Sequence, residues 1–446
     1  MNGESNHCAI TVTGRSWSSR VEDRFQQKPA LLRPSAGTYS CYIFRAPKSQ
    51  VESNPNAYKP QIVSIGPYHH GKQQLELIEQ HKTRVFSTLL DRTGGRRGLD
   101  GYFTAVASLE TNIRNSYSEA LDYETSDLIE MMVLDACFIE LFRVLSVRVP
   151  TEKITQYDDD PLFFTPWIVS SLMIDLLLIE NQIPFIVLQE IYALSNSPSD
   201  ANRSLNEIAL QFFNRALQWP EEHLQKHYRV PNITHLLDLF RLCLVGHLGI
   251  EKSPEVKVDE ELLQLISSAN QLLQVGIKFE PRKSENLIDV VFDHGVLRIC
   301  PLTLDLFTSS FFLNCVAYEQ CYLYCSKHIS TYVVFMRCLM GTAADAVALS
   351  QCGIIMNLLG ADKEVARFFN DLAKDVQFDI ELNYLTEVFR QVNQYHRNKW
   401  RLRWAGIKRE YFGSPWSFIS AAAAFILLVL TVIQAFFTIY PYYHPK

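Results

Sequence analysis

The chain has 446 residues, of which 48% are hydrophobic and 20% charged, and its formal net charge is −6. That length and apolar content support two or three ordinary domains or one large one, and exclude a wholly disordered chain. The acidic balance excludes a globally basic nucleic-acid binder, so no nucleic-acid partner is expected.

In chain order, residues 1–38 are polar, serine-rich and without a clear period, and read as a mobile leader. No basic stretch leads into an apolar core there, so no secretory signal peptide is expected. Residues 39–396 form the main domain, which opens with two short extended pieces, CYIFRAP and PQIVSIG. The second runs into SIGPYHHG, Ser64 to Gly71. Helical periodicity then dominates. QQLELIEQHKTRVFSTLLDR places Leu75, Ile78, Val85 and Leu89 on one side. SDLIEMMVLDACFIELFRVLSV is apolar almost all round and reads as a central buried helix. PWIVSSLMIDLLLIENQ reads as another, stopping before Pro184, and IPFIVLQEIYAL opens the next. Ser195 to Ser204 is a loop by composition. THLLDLFRLCLVGHLG and VDEELLQLISSANQLLQVG are further helices, the latter stopped by Gly276. LIDVVFD, His294-Gly295 and VLRICPL read as a hairpin. Helices resume with SSFFLNCVAYEQCY. The expected class is mainly α, with a few short strands, one hairpin and one C-terminal transmembrane helix.

The ten cysteines are scattered and mostly lie in apolar runs, which fits buried free thiols better than a disulfide scaffold. The end of the chain carries the strongest signal. From Phe418 to Tyr440 no residue is charged. That is about 23 residues, roughly 34 Å of helix against a hydrocarbon core of ~30 Å. A single span over 416–440 is expected, with Trp416, Phe418, Phe425, Leu428, Gln434 and Tyr440 as its marker residues. Trp416 and Tyr440 suit the two interfaces. Gln434 and the Ser420/Ala424 spacing suit helix-mediated self-association. Arg397, Lys399, Arg401, Arg403, Lys408 and Arg409 give the preceding segment, 397–415, a basic flank, against Lys446 in the tail, 441–446. The positive-inside rule then places the N-terminal domain in the cytosol. Which membrane is involved stays open between plasma membrane and endomembrane.

The segments NPNAYKPQIVSIGPYHHG, VLDACFIELFR, DLLLIENQIPFIVLQEIY, HLLDLFR, VGIKFE, FFLNCVAYEQC, GIIMNLLGADKEVARFFN and YFGSPWSFISAAAAFILLVLTVIQ occur here in one order. In this the chain closely resembles the plant-specific domain-of-unknown-function 247 family, from about residue 41 to 440. One departure is IFRAPKSQ, where the family more often reads closer to RVP..LR. The resemblance implies a plant protein, largely helical, with a C-terminal membrane span and no catalytic residues to carry over. Grass relatives are similar to male determinants of self-incompatibility, which implies recognition of protein partners.

The residues themselves offer few chemical constellations. His69 and His70 are neighbours, so they diverge in any regular backbone, by about 100° in a helix. One metal ion cannot use both without a special turn. Gly66-Pro67 as a turn, Tyr68 as a packing group and Gly71 at positive φ account for the motif structurally, with both histidines bonding backbone groups. Asp175 and Glu180 would point about 140° apart on a helix and do not converge as an acid–base pair. Asn181, with Gln182, would satisfy free carbonyls at the helix end before Pro184. Asp135 and Glu140 would need partners such as Arg143. Cys321, Cys325 and His328 have a spacing that suits a soft metal or palmitoylation, but buried thiols are the preferred reading. There is no Walker A loop, G-x-S-x-G elbow, kinase set or GxGxxG after a strand. No cofactor, metal or catalytic residue is assigned. The expected function is a membrane-anchored interaction, signalling or recognition module. The alternative is an enzyme, hydrolytic or metal-dependent, with its site near His69 and His70.

Overall fold

The computed structural model describes residues 32–93, 98–139, 162, 165–195, 203–246, 264–284, 286–381, 383–397 and 415–443. Among them are seventeen α-helices and five short strands. The first half is helical: α1 (Lys48–Ser53), α2 (Glu76–Arg92), α3 (Gly98–Ala107), α4 (Glu110–Ser116), α5 (Thr125–Ile139), α6 (Pro166–Asp175), α7 (Phe185–Ser195), α8 (Leu205–Leu217), α9 (Glu221–Gln225) and α10 (Leu236–Val245). After α11 (Ala269–Gln274) come β1 (Lys278–Pro281), β2 (Val290–Asp293), β3 (Val296–Ile299) and β4 (Leu302–Leu304). The remainder is α12 (Leu306–Cys321), α13 (His328–Leu339), α14 (Ala343–Gln351), β5 (Ile355–Asn357), α15 (Asp362–Leu372), α16 (Thr386–His396) and α17 (Pro415–Tyr443).

Two helices organise the packing, and both are apolar on nearly every side, as a helix enclosed by others must be. α5 is covered by α2, α3 and α7; α12 is covered by α6, α10, α13 and α15. Their buried side chains belong to one continuous core reaching from Cys41 to Val392. Helix starts follow local hydrogen-bond chemistry. Ser204 caps α8 at the Glu207 N–H, Asp305 caps α12 at Thr308, and reciprocal capping boxes open α11 (Ser268/Gln271) and α14 (Thr342/Asp345).

The expected hairpin is present. β2 and β3 pair antiparallel with Asp293 opposite Val296, so the turn is the two residues His294 and Gly295, both at positive φ. A Cβ on Gly295 would collide with the Tyr395 ring of α16. β1 joins β3 in parallel, giving the order β1-β3-β2, and β4 pairs with β5 in parallel.

Four expectations change. The helix expected from Pro166 to Gln182 ends at Asp175 and gives way to turns, in which Asn314 Oδ1 accepts the Ile179 N–H and Gln182 Nε2 donates to the Leu176 and Leu178 carbonyls. PQIVSIG is extended but belongs to no sheet. The helix expected from Val258 begins, within the described residues, only at Ala269, where Ser268 caps it. The leader expected to run to residue 38 is tied down from Arg33, whose N–H donates to Ser118 O at 2.9 Å and whose guanidinium reaches Asn115 Oδ1 at 3.3 Å.

α17 is the helix expected to span a membrane. Among the described residues, no single helix is long and apolar enough to cross a membrane.

Candidate functional site

SIGPYHHG is held by a ring of buried side chains that reach it from three helices. The packing of α2 on α5 brings Lys82 to Asp135, with Nζ 2.5 Å from Oδ1. Lys82 Nζ also donates to Ser64 O at 2.5 Å and to Glu79 Oε1 at 2.6 Å. Asp135 Oδ2 accepts the Gly66 N–H at 2.7 Å. At the end of α6, Asp175 Oδ2 accepts from the N–H groups of Gln61, Ile62 and Val63 at 2.8–3.0 Å. Asn181 completes the pattern: Oδ1 accepts the Ile65 N–H at 2.7 Å, and Nδ2 donates to Val63 O and Asp175 O. The loop's backbone donors are therefore taken by carboxylates and an amide in place of a neighbouring strand. Gln182 Nε2 donates to Leu176 O and Leu178 O. Asn181 and Gln182 thus satisfy helix-end carbonyls as expected. Asp135, in contrast, is partnered by Lys82; Glu140 and Arg143 lie outside the described residues.

Gly66 has φ +78°, and a Cβ there would lie 2.5 Å from Gln182 O, so only glycine fits between the loop and the segment before Pro184. Pro67 is buried, and its carbonyl accepts from the Tyr123 hydroxyl at 3.1 Å. Tyr68 packs edge-on against Tyr117 under the Arg45 guanidinium, which lies 4.3 Å from its ring centre. Gly71, at φ +76°, turns the chain into the short 3-10 turn before α2.

The two histidines part company here. His69 is buried, with Nε2 3.3 Å from Glu180 Oε2 and Nδ1 2.5 Å from Lys72 Nζ. An ammonium donating to Nδ1 leaves the ring proton on Nε2, facing the carboxylate. His70 is exposed and meets only the edge of Tyr123 among the ring contacts. The expectation that both bond backbone groups is corrected for His69, whose partners are side chains. Glu180 Oε1 also accepts the Ala46 N–H at 3.0 Å, and Oε2 lies 3.4 Å from Arg45. Burial pushes the Glu180 carboxyl up, but His69, the Ala46 N–H and Arg45 together hold it below the usual range. Burial pushes Asp175 up to about 6, against its three backbone donors. Asp175 and Glu180 serve different segments and do not converge. Chemically the arrangement is a latch, in which Lys82, Arg45, His69 and backbone N–H groups meet its carboxylates.

A second buried network joins α10, α12 and α13. Arg241 Nη2 is 3.1 Å from Asp238 Oδ1, and Nη1 is 3.5 Å from Glu319 Oε1. Glu319 in turn accepts the N–H groups of Ile329 and Ser330, at the open end of α13. His235 caps α10 by accepting the Asp238 N–H at Nδ1, while Nε2 lies 3.3 Å from Tyr42 O. A second ring proton would displace that cap. Burial holds His235 down at about 4. Cys321 ends α12, so Cys325 falls in the following turn and the shared helix face expected for the two is absent. Their thiols donate to Arg45 O and Tyr322 O, and burial pushes them up to about 12 and about 11. All nine described cysteines are free.

The donors that do converge lie elsewhere. Among the described residues, His223, His227 and Cys243 are the one grouping of three whose ligand atoms all lie within 4.8 Å of one another. His223 sits on α9, His227 just beyond it and Cys243 on α10, all buried. His223 also forms part of the wall of a cavity of about 910 Å³, lined in addition by Trp219, Arg282, Cys300, Asp305 and Thr308. The sequence signal was His-x3-His within EEHLQKH, overlooked beside the more conspicuous SIGPYHHG.

Around α17, Phe425 is 67% and Leu428 63% exposed, and Gln434 is exposed. The side chains of Trp416, Phe418 and Tyr440 lie outside the described residues, as do Lys399, Arg401, Arg403, Lys408 and Arg409; Arg397 is exposed at the end of α16.

The model of a family described as a plant protein of unknown function, domain-of-unknown-function 247, matches residues 43–430. The UPF0481 protein At3g47200 of Arabidopsis thaliana is 40% identical over 441 residues, which cover 94% of this chain and 90% of that one. A second Arabidopsis thaliana UPF0481 protein, At3g02645, is 23% identical over 489 residues, covering 88% and 89%. No solved structure matches this chain.

Proposed function

The chain belongs to the domain-of-unknown-function 247 family of plant proteins of unknown function, and from that premise we propose that it is a membrane-anchored recognition module. A large helical domain is tethered through α17 and works through protein partners, as a signalling or self-incompatibility-like recognition element. One observation carries the reading: along α17 the apolar side chains Phe425, Ile426, Leu427, Leu428, Leu430 and Val432 are all more than half exposed, on every side of the helix. A helix whose described side chains are apolar and exposed on every side is costly in water, at about 25 cal/mol per Å² of apolar surface, and at home in lipid. The basic stretch before it suits an anionic cytosolic leaflet. The enzymatic alternative at His69 and His70 draws less support, because those rings diverge and His69 is already engaged.

Alkaline extraction of membranes from cells expressing the full chain tests this. The wild type is expected to stay with the lipid, and Leu427→Arg/Leu430→Arg to move into the soluble fraction. A wild-type chain released by alkali overturns the anchor. Glycosylation then reads orientation: a sequon added after Lys446 is expected to be modified, while the native sequons Asn202-Arg203-Ser204 and Asn232-Ile233-Thr234 are not. Modification at Asn202 or Asn232 would place the main domain outside the cytosol.

A further inference from the structure

The corner between α9 and α10 has the geometry of a soft-metal site, independent of any membrane anchor. We infer that His223, His227 and Cys243 bind one divalent ion of the zinc class, through two imidazole nitrogens and a thiolate. The donor set contains no oxygen, which disfavours calcium and magnesium and suits zinc or its spectroscopic substitute cobalt(II). Distances agree. A tetrahedral ion with metal–sulfur of about 2.3 Å and metal–nitrogen of about 2.0 Å sets a nitrogen–sulfur edge of about 3.5 Å. Cys243 Sγ and His223 Nε2 are 3.8 Å apart.

Local structure also prepares the ligands. His227 Nδ1 lies 3.0 Å from His223 O. A ring N–H donating to that carbonyl fixes the tautomer with its lone pair on Nε2, the outer-shell arrangement usual for ligating histidine. His223 is held edge-on against Trp219, whose indole stacks on Phe240. The histidines are four apart in sequence and their ring centres are 5.1 Å apart.

Binding releases the Cys243 thiol proton to solvent and replaces the S–H with a metal–sulfur bond; nothing is oxidised or reduced. A thiol–imidazole hydrogen bond is the ground state without metal. The alternative use of such a pair, a cysteine nucleophile with a histidine base, is disfavoured because Cys243 is completely buried. Three protein donors leave a fourth position, which water or a small ligand would reach from the cavity that His223 helps to line.

The test uses the full chain, purified in detergent, stripped with chelator and titrated with cobalt(II). One equivalent is expected to bind, with tetrahedral d–d bands and a thiolate-to-cobalt charge-transfer band, and one equivalent of zinc should displace it. His223→Ala, His227→Ala and Cys243→Ser should each lose the signal, while Cys300→Ser and His69→Ala/His70→Ala keep it. Circular dichroism of each variant separates loss of ligand from loss of fold. Should the three ligand variants fail to fold, the wild type still decides. Zinc must raise its midpoint of thermal unfolding while magnesium does not. A folded wild-type chain that gives no charge-transfer band and no zinc-dependent shift overturns the site.

Discussion

Two histidine-bearing corners of this molecule make opposite use of the same side chain. Around SIGPYHHG, His69 sits between Glu180 and Lys72, and every nearby acid has a base or a backbone N–H. Around α9, His223 and His227 face a thiol, an aromatic shell and the wall of a cavity. The first corner spends its polar groups on one another and fixes a loop. The second brings two imidazoles and a thiol within 4.8 Å of one another. The surroundings of the ring differ in kind: charged side chains flank His69 in a loop, whereas a thiol and aromatic rings surround His223 and His227.

The largest effect that sharpens this contrast is expected at Lys82. Lys82→Met leaves Asp135 buried beside an apolar side chain and should cost about 3–5 kcal/mol in urea unfolding. A loss under about 1 kcal/mol would mean that the latch is not what holds the loop. Next comes acid sensitivity at His235. A histidine held at about 4, against 6.5 unfolded, contributes stability that is complete above pH 6.5 and lost as pH falls toward 4. Asp175, raised to about 6, acts in the opposite sense, losing its contribution as pH rises toward 6. His235→Asn keeps an acceptor for the Asp238 N–H but cannot titrate. The gap between wild-type and variant unfolding free energies should change by about 3 kcal/mol between pH 7 and pH 4. Parallel pH curves would refute the assignment. Gly66→Ala follows, at about 2 kcal/mol or more, since both its φ and the Gln182 carbonyl oppose a Cβ. An unshifted urea midpoint would show that the loop gives way freely. The smallest contrast lies within the motif itself. His69→Ala should cost about 1–3 kcal/mol by removing a partner of buried Glu180, whereas His70→Ala should leave the thermal midpoint unchanged. Equal effects would erase the distinction between the two rings.

Much of this was legible along the chain because its causes are local. The turn at Gly66-Pro67, the helix after Gly71, the His294-Gly295 hairpin and the all-round apolar character of α5 each depend on a few neighbouring residues. The early end of α6 was not legible. Pro184 looked like the stop, yet the helix ends at Asp175, whose carboxylate accepts from Gln61, Ile62 and Val63, more than a hundred residues earlier in sequence. Lys82 as the partner of Asp135 was equally hidden, since only the packing of α2 on α5 brings them together.

The sequence by itself determined the mainly helical class, the family, the divergence of His69 and His70, and the apolar character of the last helix, all of which follow from composition, periodicity and adjacent residues. Only the tertiary structure decided which charges neutralise which, why the loop needs no sheet, and that Cys243 lies within reach of His223 and His227. Those facts depend on distances between separate helices, and long-range distance is set by how the apolar faces pack, not by spacing along the chain.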